Sequence, residues 1–324
     1  MHRMLLAGWL LISLILPISV SAEPRSGTVS WDKWNFGWEV YENQSVVLTD
    51  VMYDNELVLA KASLPVIKVK YEREWPWYHP YSWFGIGRST GRCGPFQDRI
   101  TWKHLEPVPT CNSKVCVKPY TVGGIKWLEV GVYARIGEYH LYHAWYLSEQ
   151  GEIRPVLQSR GLSCNTTHMH HPYWRFDFGI AGATKDQVFA YTAGDPDEGW
   201  GPGWHKYTNE TNALKDPPKQ RVWFVRDNQT THGVWVIPGS GYPPLMNDGS
   251  PQSCFSKLDV GVRVFHEQED EGWRFGARGD LGYLDGEGVQ EQDVVFWYVA
   301  HLPHEAALGP AAWLAVGPTL KVQR

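Results

Sequence analysis

Thr167-His168-Met169-His170-His171-Pro172-Tyr173-Trp174-Arg175-Phe176-Asp177 is the stretch whose reading decides both fold and chemistry. Read as a β-strand, it sends alternate side chains to opposite faces, so His168 and His170 leave the same face. Neutral imidazoles pointing one way can bind a single borderline metal ion, and zinc, copper, iron and nickel all accept them. The bland alternative places His168, His170 and His171 in an exposed polar loop, since short motifs match by accident.

The rest of the chain supports a strand. Ser45-Val46-Val47-Leu48, Leu64-Pro65-Val66-Ile67-Lys68-Val69-Lys70, Gly131-Val132-Tyr133-Ala134-Arg135-Ile136, Val222-Trp223-Phe224-Val225 and Val294-Val295-Phe296-Trp297-Tyr298-Val299 are β-branched and aromatic, with Gly or Pro clusters bounding many of them. No long helical periodicity appears, and 32 Gly and 22 Pro punctuate many short runs. The expected architecture is all-β, a large antiparallel β-sandwich forming one domain over residues 23–324. Two polar, glycine-rich stretches, Ala193 to Gly203 and Gly239 to Pro251, read as loops inside that domain, and no internal repeat is present.

Residues 1–22 combine a basic start at Arg3, an apolar run from Leu5 to Val20 and small residues ending at Ala22, the pattern of a cleaved signal peptide. The rival reading is an uncleaved anchor, for which the apolar run is short. The mature protein is therefore expected to be secreted, or periplasmic in a bacterium. With 30 Lys+Arg against 35 Asp+Glu and no basic stripe, neither nucleic acid nor, after signal cleavage, a membrane is an expected partner. In an exported chain, Cys93, Cys111, Cys116, Cys164 and Cys254 favour disulfides over zinc, with Cys111/Cys116 the first candidate pair and one cysteine left over. Asn43, Asn165, Asn209 and Asn228 begin glycosylation sequons, meaningful only in a eukaryote. Most of the 18 Trp should fill the core; exposed ones would suit a carbohydrate or aromatic ligand. The turn-rich segments 74–81 and 198–205 could frame a pocket mouth.

The order of motifs resembles the copper amine oxidases. His168-Met169-His170 followed by Arg175-Phe176-Asp177 looks like that family's H-x-H and R-[LF]-D strand. Asp293-Val294-Val295-Phe296-Trp297-Tyr298 is similar to its D-[IL]-V-x-W-Y strand, and His301-Leu302-Pro303 then falls where the family carries its third copper ligand. Glu138-Tyr139-His140 looks like the N-Y-[DE] segment, with Trp145, Gly151 and Ile153 at matching offsets. The stretch from Trp34 to Val66 resembles the start of the catalytic domain, and Tyr71 sits where the family has a tyrosine contacting the cofactor.

The resemblance implies one copper held by His168, His170 and His301. It also implies topaquinone derived from Tyr139 and positioned by Tyr71, and a primary amine and dioxygen as small-molecule substrates. A homodimer is left open. The chain departs from the pattern in specific places. The segment corresponding to the family's base, residues 75–87, contains no aspartate; Pro80 stands at the base position, with His79 and Glu74 the nearest substitutes. Glu138 and His140 replace the residues flanking the tyrosine. Asp177 and Asp293 match positions that help hold a second, calcium-type ion, but Gly179 replaces an acidic ligand, so no second ion is expected. Three functions stay open: a topaquinone amine oxidase, a copper-dependent oxygenase using unmodified Tyr139, and a non-catalytic copper-binding pseudoenzyme.

Overall fold

The computed structural model describes residues 23–71, 96–163, 167–180, 182, 185–239, 258–266 and 284–324. The signal segment, Cys93, Cys164 and Cys254, Asn165, most of the 239–251 loop and the whole 74–87 segment, with Glu74, His79 and Pro80, lie outside the described residues. Among the described residues the chain forms β1 (Ser26–Trp31), β2 (Trp34–Tyr41), β3 (Ser45–Tyr53), β4 (Glu56–Tyr71), β5 (Phe96–Asp98), β6 (Leu105–Glu106) and β7 (Val115–Val122). There follow β8 (Ile125–Ile136), β9 (Tyr139–Ser148), β10 (Glu152–Arg160), β11 (His168–Phe178), β12 (Asp186–Tyr191), β13 (Trp204–Lys206) and β14 (Thr211–Ala213). The last are β15 (Val222–Asp227), β16 (Gly233–Ile237), β17 (Val260–Val264), β18 (Val294–Val299), β19 (Leu302–His304), β20 (Leu314–Val316) and β21 (Thr319–Gln323). Among the described residues only short 3-10 turns interrupt them.

Hairpin chemistry explains much of this order. Asp54 and Asn55, both at positive φ (55° and 64°), make the two-residue turn between β3 and β4, and these are residue types that tolerate left-handed backbone. Two antiparallel sheets result. The first runs β1-β2-β3-β4-β11-β18-β17-β14, with β5 on β4 and β19 on β11; the second runs β13-β12-β15-β16-β21-β10-β9-β8-β6, with β7 on β8 and β20 on β10. The expected β-sandwich is thus the architecture found.

Period-two alternation places the core between the sheets. On β9, Tyr139, Leu141, Trp145 and Leu147 join the main apolar cluster; on β11, so do Trp174, Phe176 and Phe178. Two indoles cross the layers to find partners for their buried N–H groups. Trp34 of the first sheet donates to the Ser148 carbonyl of the second (2.7 Å), and Trp145 of the second donates to the Val46 carbonyl of the first (2.8 Å). Trp145→Phe should therefore leave a buried carbonyl unsatisfied and destabilise by about 1–3 kcal/mol, readable as a lower urea midpoint at unchanged slope. Four Trp, at 34, 145, 174 and 223, are fully buried, as a core-filling role requires.

The odd-numbered side of β11 is covered too. Tyr173 packs there with Val66, Leu258, Val295, Trp297 and Val299. Cys111 and Cys116 form the expected disulfide at the start of β7, with Cα atoms 5.5 Å apart. No helix among the described residues is long and apolar enough to cross a membrane.

Candidate metal centre

β9 and β11 begin at the same end of the sandwich, which brings the inward side chains of their first residues together. His168 and His170 lie on the inner face of the first sheet, and their Nε2 atoms are 2.9 Å apart. Tyr139, inward on the second sheet, brings its hydroxyl 3.0 Å from His168 Nε2. Its ring stands edge-on to the imidazoles, 4.8 Å from His170 and 5.8 Å from His168 between centroids. Gly161 (φ 126°) ends β10 against this tyrosine, where a Cβ would strike the Glu138 carbonyl and the Tyr139 backbone. That close pass lets the following loop lay the Ser163 N–H on the Tyr139 hydroxyl at 2.9 Å.

The third histidine of the cluster is His304. β19 pairs antiparallel with the first residues of β11, setting His304 opposite His168 and Leu302 opposite His170. Directly opposed residues share a face, so His304 points inward with the pair and His301, three positions earlier, falls on the other parity. One nitrogen from each of His168, His170 and His304 lies within 4.8 Å of the others, and all three residues are buried.

His301 sits apart from this group. Its Nε2 is 2.6 Å from Asp259 Oδ1 and its Nδ1 2.7 Å from His171 Nδ1, all three residues being fully buried. Lys215 completes that neighbourhood, 3.6 Å from the same Asp259 oxygen. Burial opposes ionisation of Asp259, yet the hydrogen bond from His301 and the Lys215 charge together hold its carboxyl below the usual range. Burial, with His301, Lys68 and Lys215 adding to it, pushes His171 down to about 2, so His171 is neutral. Tyr71 lies opposite His168 in the β4–β11 register. Glu138 is exposed, and His140 turns to the outer face, where it meets the Tyr133 hydroxyl at 2.6 Å.

The inner cluster suits a metal ion in three respects. Burial, reinforced by His168 and His304, holds His170 well below the ordinary imidazole range, which keeps it in the neutral form that ligates; burial lowers His304 as well. His170 Nδ1 is buried without a hydrogen-bond partner, and His304 has at most a weak contact with the Gly309 backbone; such under-satisfied nitrogens call for an ion or ordered water. A 2.9 Å separation between two imidazole nitrogens is also about what two ligands at roughly 2 Å from one ion would show.

Deeper along the same strands, His143 is a satisfied core histidine. The Trp174 indole donates to its Nε2 (3.4 Å), so its Nδ1–H faces the Ser45 hydroxyl (2.8 Å). Burial pushes its pKa down to about 3. The unfolded chain takes up this proton near pH 6.5 and the folded chain does not, so the stability present above that value is lost as pH falls. Between pH 7 and pH 5 the wild type should lose about 2 kcal/mol more than His143→Gln, measured by urea unfolding at both values. Equal losses would show that this imidazole titrates alike in both states. A cluster of carboxylates gathers around Asp186 at the start of β12 and includes Asp177 near the end of β11. Burial and the carboxylates of Asp293, Asp227 and Asp177 push Asp186 up to about 8, while Asp177 pairs with Arg175 at 3.1 Å.

The fold is shared with solved amine oxidases at low identity. A copper-containing benzylamine oxidase from Hansenula polymorpha superposes with a TM-score of 0.65 at 13% identity, over 93% of this chain and 60% of that one. The amine oxidase of Aspergillus nidulans gives 0.64 at 13% identity, over 99% and 56%. The Pichia pastoris lysyl oxidase gives 0.62 at 14%, over 93% and 53%. The chain thus spans between 53% and 60% of the length of these proteins. No family model matches the sequence, and no curated protein is similar to it in sequence.

Proposed function

We propose that this chain is an exported copper-dependent oxidase of the amine oxidase type, with His168, His170 and His304 holding the metal and Tyr139 as the redox-active residue beside it. The reading rests on one observation above all: a buried phenol within hydrogen-bond reach of a cluster of three buried histidines whose ring nitrogens converge to within 4.8 Å of one another. The fold shared with copper amine oxidases supports it. Copper would supply one-electron chemistry toward dioxygen, and with it the oxidation of Tyr139 to topaquinone, which the resemblance implies as the acceptor of electrons from a primary amine.

The chain's own residues prepare that tyrosine. The Tyr139 hydroxyl lies 3.0 Å from His168 Nε2 and accepts from Ser163 N–H, so its orientation is fixed from two sides. A backbone donor on the phenol oxygen stabilises negative charge developing there. His170, kept neutral, retains a lone pair on one ring nitrogen that a metal ion can take. With Tyr139 only 4% exposed, bulk water is held off the ring. Because Glu138 and His140 point away, the altered neighbours of the tyrosine leave its inner surroundings to the histidines.

The deciding experiment is an absorption spectrum of copper-loaded, aerated protein before and after phenylhydrazine. A new adduct band that is absent in Tyr139→Phe carries the proposal. Copper bound at one per chain with no adduct would retire the quinone in favour of metal-centred oxygen chemistry or binding alone.

A further inference from the structure

The loop joining β12 to β13 holds an exposed tryptophan rigidly. Trp200 is 53% exposed, yet its loop is pinned from beneath, because Asp197 Oδ1 accepts the N–H groups of Gly199 (2.8 Å) and Gly201 (3.0 Å). The other acids of the loop are engaged as well: Asp195 with Lys219 (2.8 Å) and His205 (3.2 Å), Glu198 with His205 (2.9 Å). Behind Trp200 the outer face of the second sheet is an aromatic shelf. Phe189 meets Trp200 at 5.8 Å and Trp204 at 6.1 Å, Trp204 meets Trp235 at 5.6 Å, and Trp235 stacks on Phe224 at 4.6 Å.

Two cations lie over this shelf. Lys206 Nζ sits 5.0 Å from the Trp200 ring centroid and 5.7 Å from that of Phe189, and the Arg226 guanidinium lies 5.1 Å from Phe189. Neither forms an ion pair among the described residues; Arg226 donates to the Gln187 amide oxygen at 3.4 Å. Burial and the charge of Arg226 lower the Lys206 pKa, with Glu291 acting in the opposite sense. Like charges sharing one ring without a contacting carboxylate are held against their own repulsion. The acids of the loop are committed elsewhere, and Glu291 acts on Lys206 without forming an ion pair with it.

We infer that this outer face, formed by Trp200, Phe189, Trp204, Lys206 and Arg226, binds an acidic saccharide, a pyranose bearing a carboxylate or a sulfate ester. A sugar ring presents a flat face of C–H groups that packs on the electron-rich face of an indole, and Trp200 exposes such a face on a loop already ordered. The anionic substituent supplies a carboxylate or sulfate in direct contact with Lys206 and Arg226, which no side chain among the described residues does. A neutral saccharide would stack without relieving that repulsion. The site lies on the opposite face of the second sheet from Tyr139 and does not depend on the copper reading.

The test titrates the full chain calorimetrically, and by tryptophan fluorescence, with tetragalacturonate, a chondroitin sulfate tetrasaccharide and neutral galactotetraose. At about 0.15 M salt, at least one acidic probe should bind roughly tenfold more tightly than the neutral one. Whichever acidic probe is preferred tells carboxylate from sulfate. Trp200→Ala should weaken binding of the acidic probe about tenfold or more. Lys206→Gln with Arg226→Gln should erase the preference for acid while leaving copper stoichiometry and far-ultraviolet circular dichroism unchanged. Three results would each overturn the proposal: no acidic probe binding below millimolar concentration, equal affinity for the neutral sugar, or wild-type affinity in Trp200→Ala. Sedimentation showing that Trp200→Ala only dissolves a self-association, with no saccharide bound by wild type, would assign the face to a second copy instead.

Discussion

Aerobic copper loading of the purified chain is expected to raise the mass of the peptide containing Tyr139 by about 30 Da, two oxygen atoms added and two hydrogens removed, the change that makes a quinone cofactor from a tyrosine. A product halted after the first oxygen would show about 14 Da instead. Tyr139→Phe should show no gain and no phenylhydrazine-reactive chromophore, yet bind copper at one per chain, because the three imidazoles remain. The effect is all-or-none since the tyrosine is itself the proposed precursor. Its hydroxyl, 3.0 Å from a prospective ligand nitrogen, is close enough for the two to share one reacting centre. An unchanged peptide mass in protein carrying its full copper would sink the quinone reading.

The second large effect separates two neighbouring histidines. His304→Ala should weaken copper binding by more than about 10²-fold, beyond what loss of a supporting outer residue causes, because it removes one of the three proposed ligands. His301→Ala should leave copper affinity nearly unchanged but destabilise the fold by about 3 kcal/mol, since it strips a hydrogen bond from the fully buried Asp259 and leaves the rest to Lys215. Copper titration and denaturant unfolding on both variants give a two-by-two outcome. A copper-deficient His301→Ala beside a copper-replete His304→Ala would reverse the assignment.

The sandwich was readable because strand alternation is a local property. Val294 to Val299 and the β11 stretch declare their strands through β-branched and aromatic residues alone, and the parity of His168 and His170 follows from it. Which later histidine faces them depends on pairing between β19 and β11, a relation spanning more than 130 residues that motif matching on His-Leu-Pro does not contain. The spacing of His304 held the missing signal: from His301 to His304 is an odd step, and an odd step changes face. Ser163 was beyond reach for another reason, because its role comes from a backbone N–H presented by a loop and any residue but proline offers one. Lys215 and Asp259 meet His301 from separate parts of the chain, so nothing in the neighbourhood of residues 301–304 announced them.

The placement of β21 bears on how the molecule is assembled. That strand lies between β16 and β10, pairing with both, so residues 319–323 are the seam joining the half of the second sheet that carries β12 and β15 to the half that carries Tyr139. Hairpins such as β8–β9 can zip as soon as they exist, whereas the seam must wait for distant segments to find each other, a search that slows folding. Seating Tyr139 against the histidines of the other sheet would therefore be a late event and a clock for the completion of folding. In stopped-flow refolding, burial of Tyr139 against the histidines should lag the far-ultraviolet signal, and a chain cut before Thr319 should keep its early hairpins while never starting that clock.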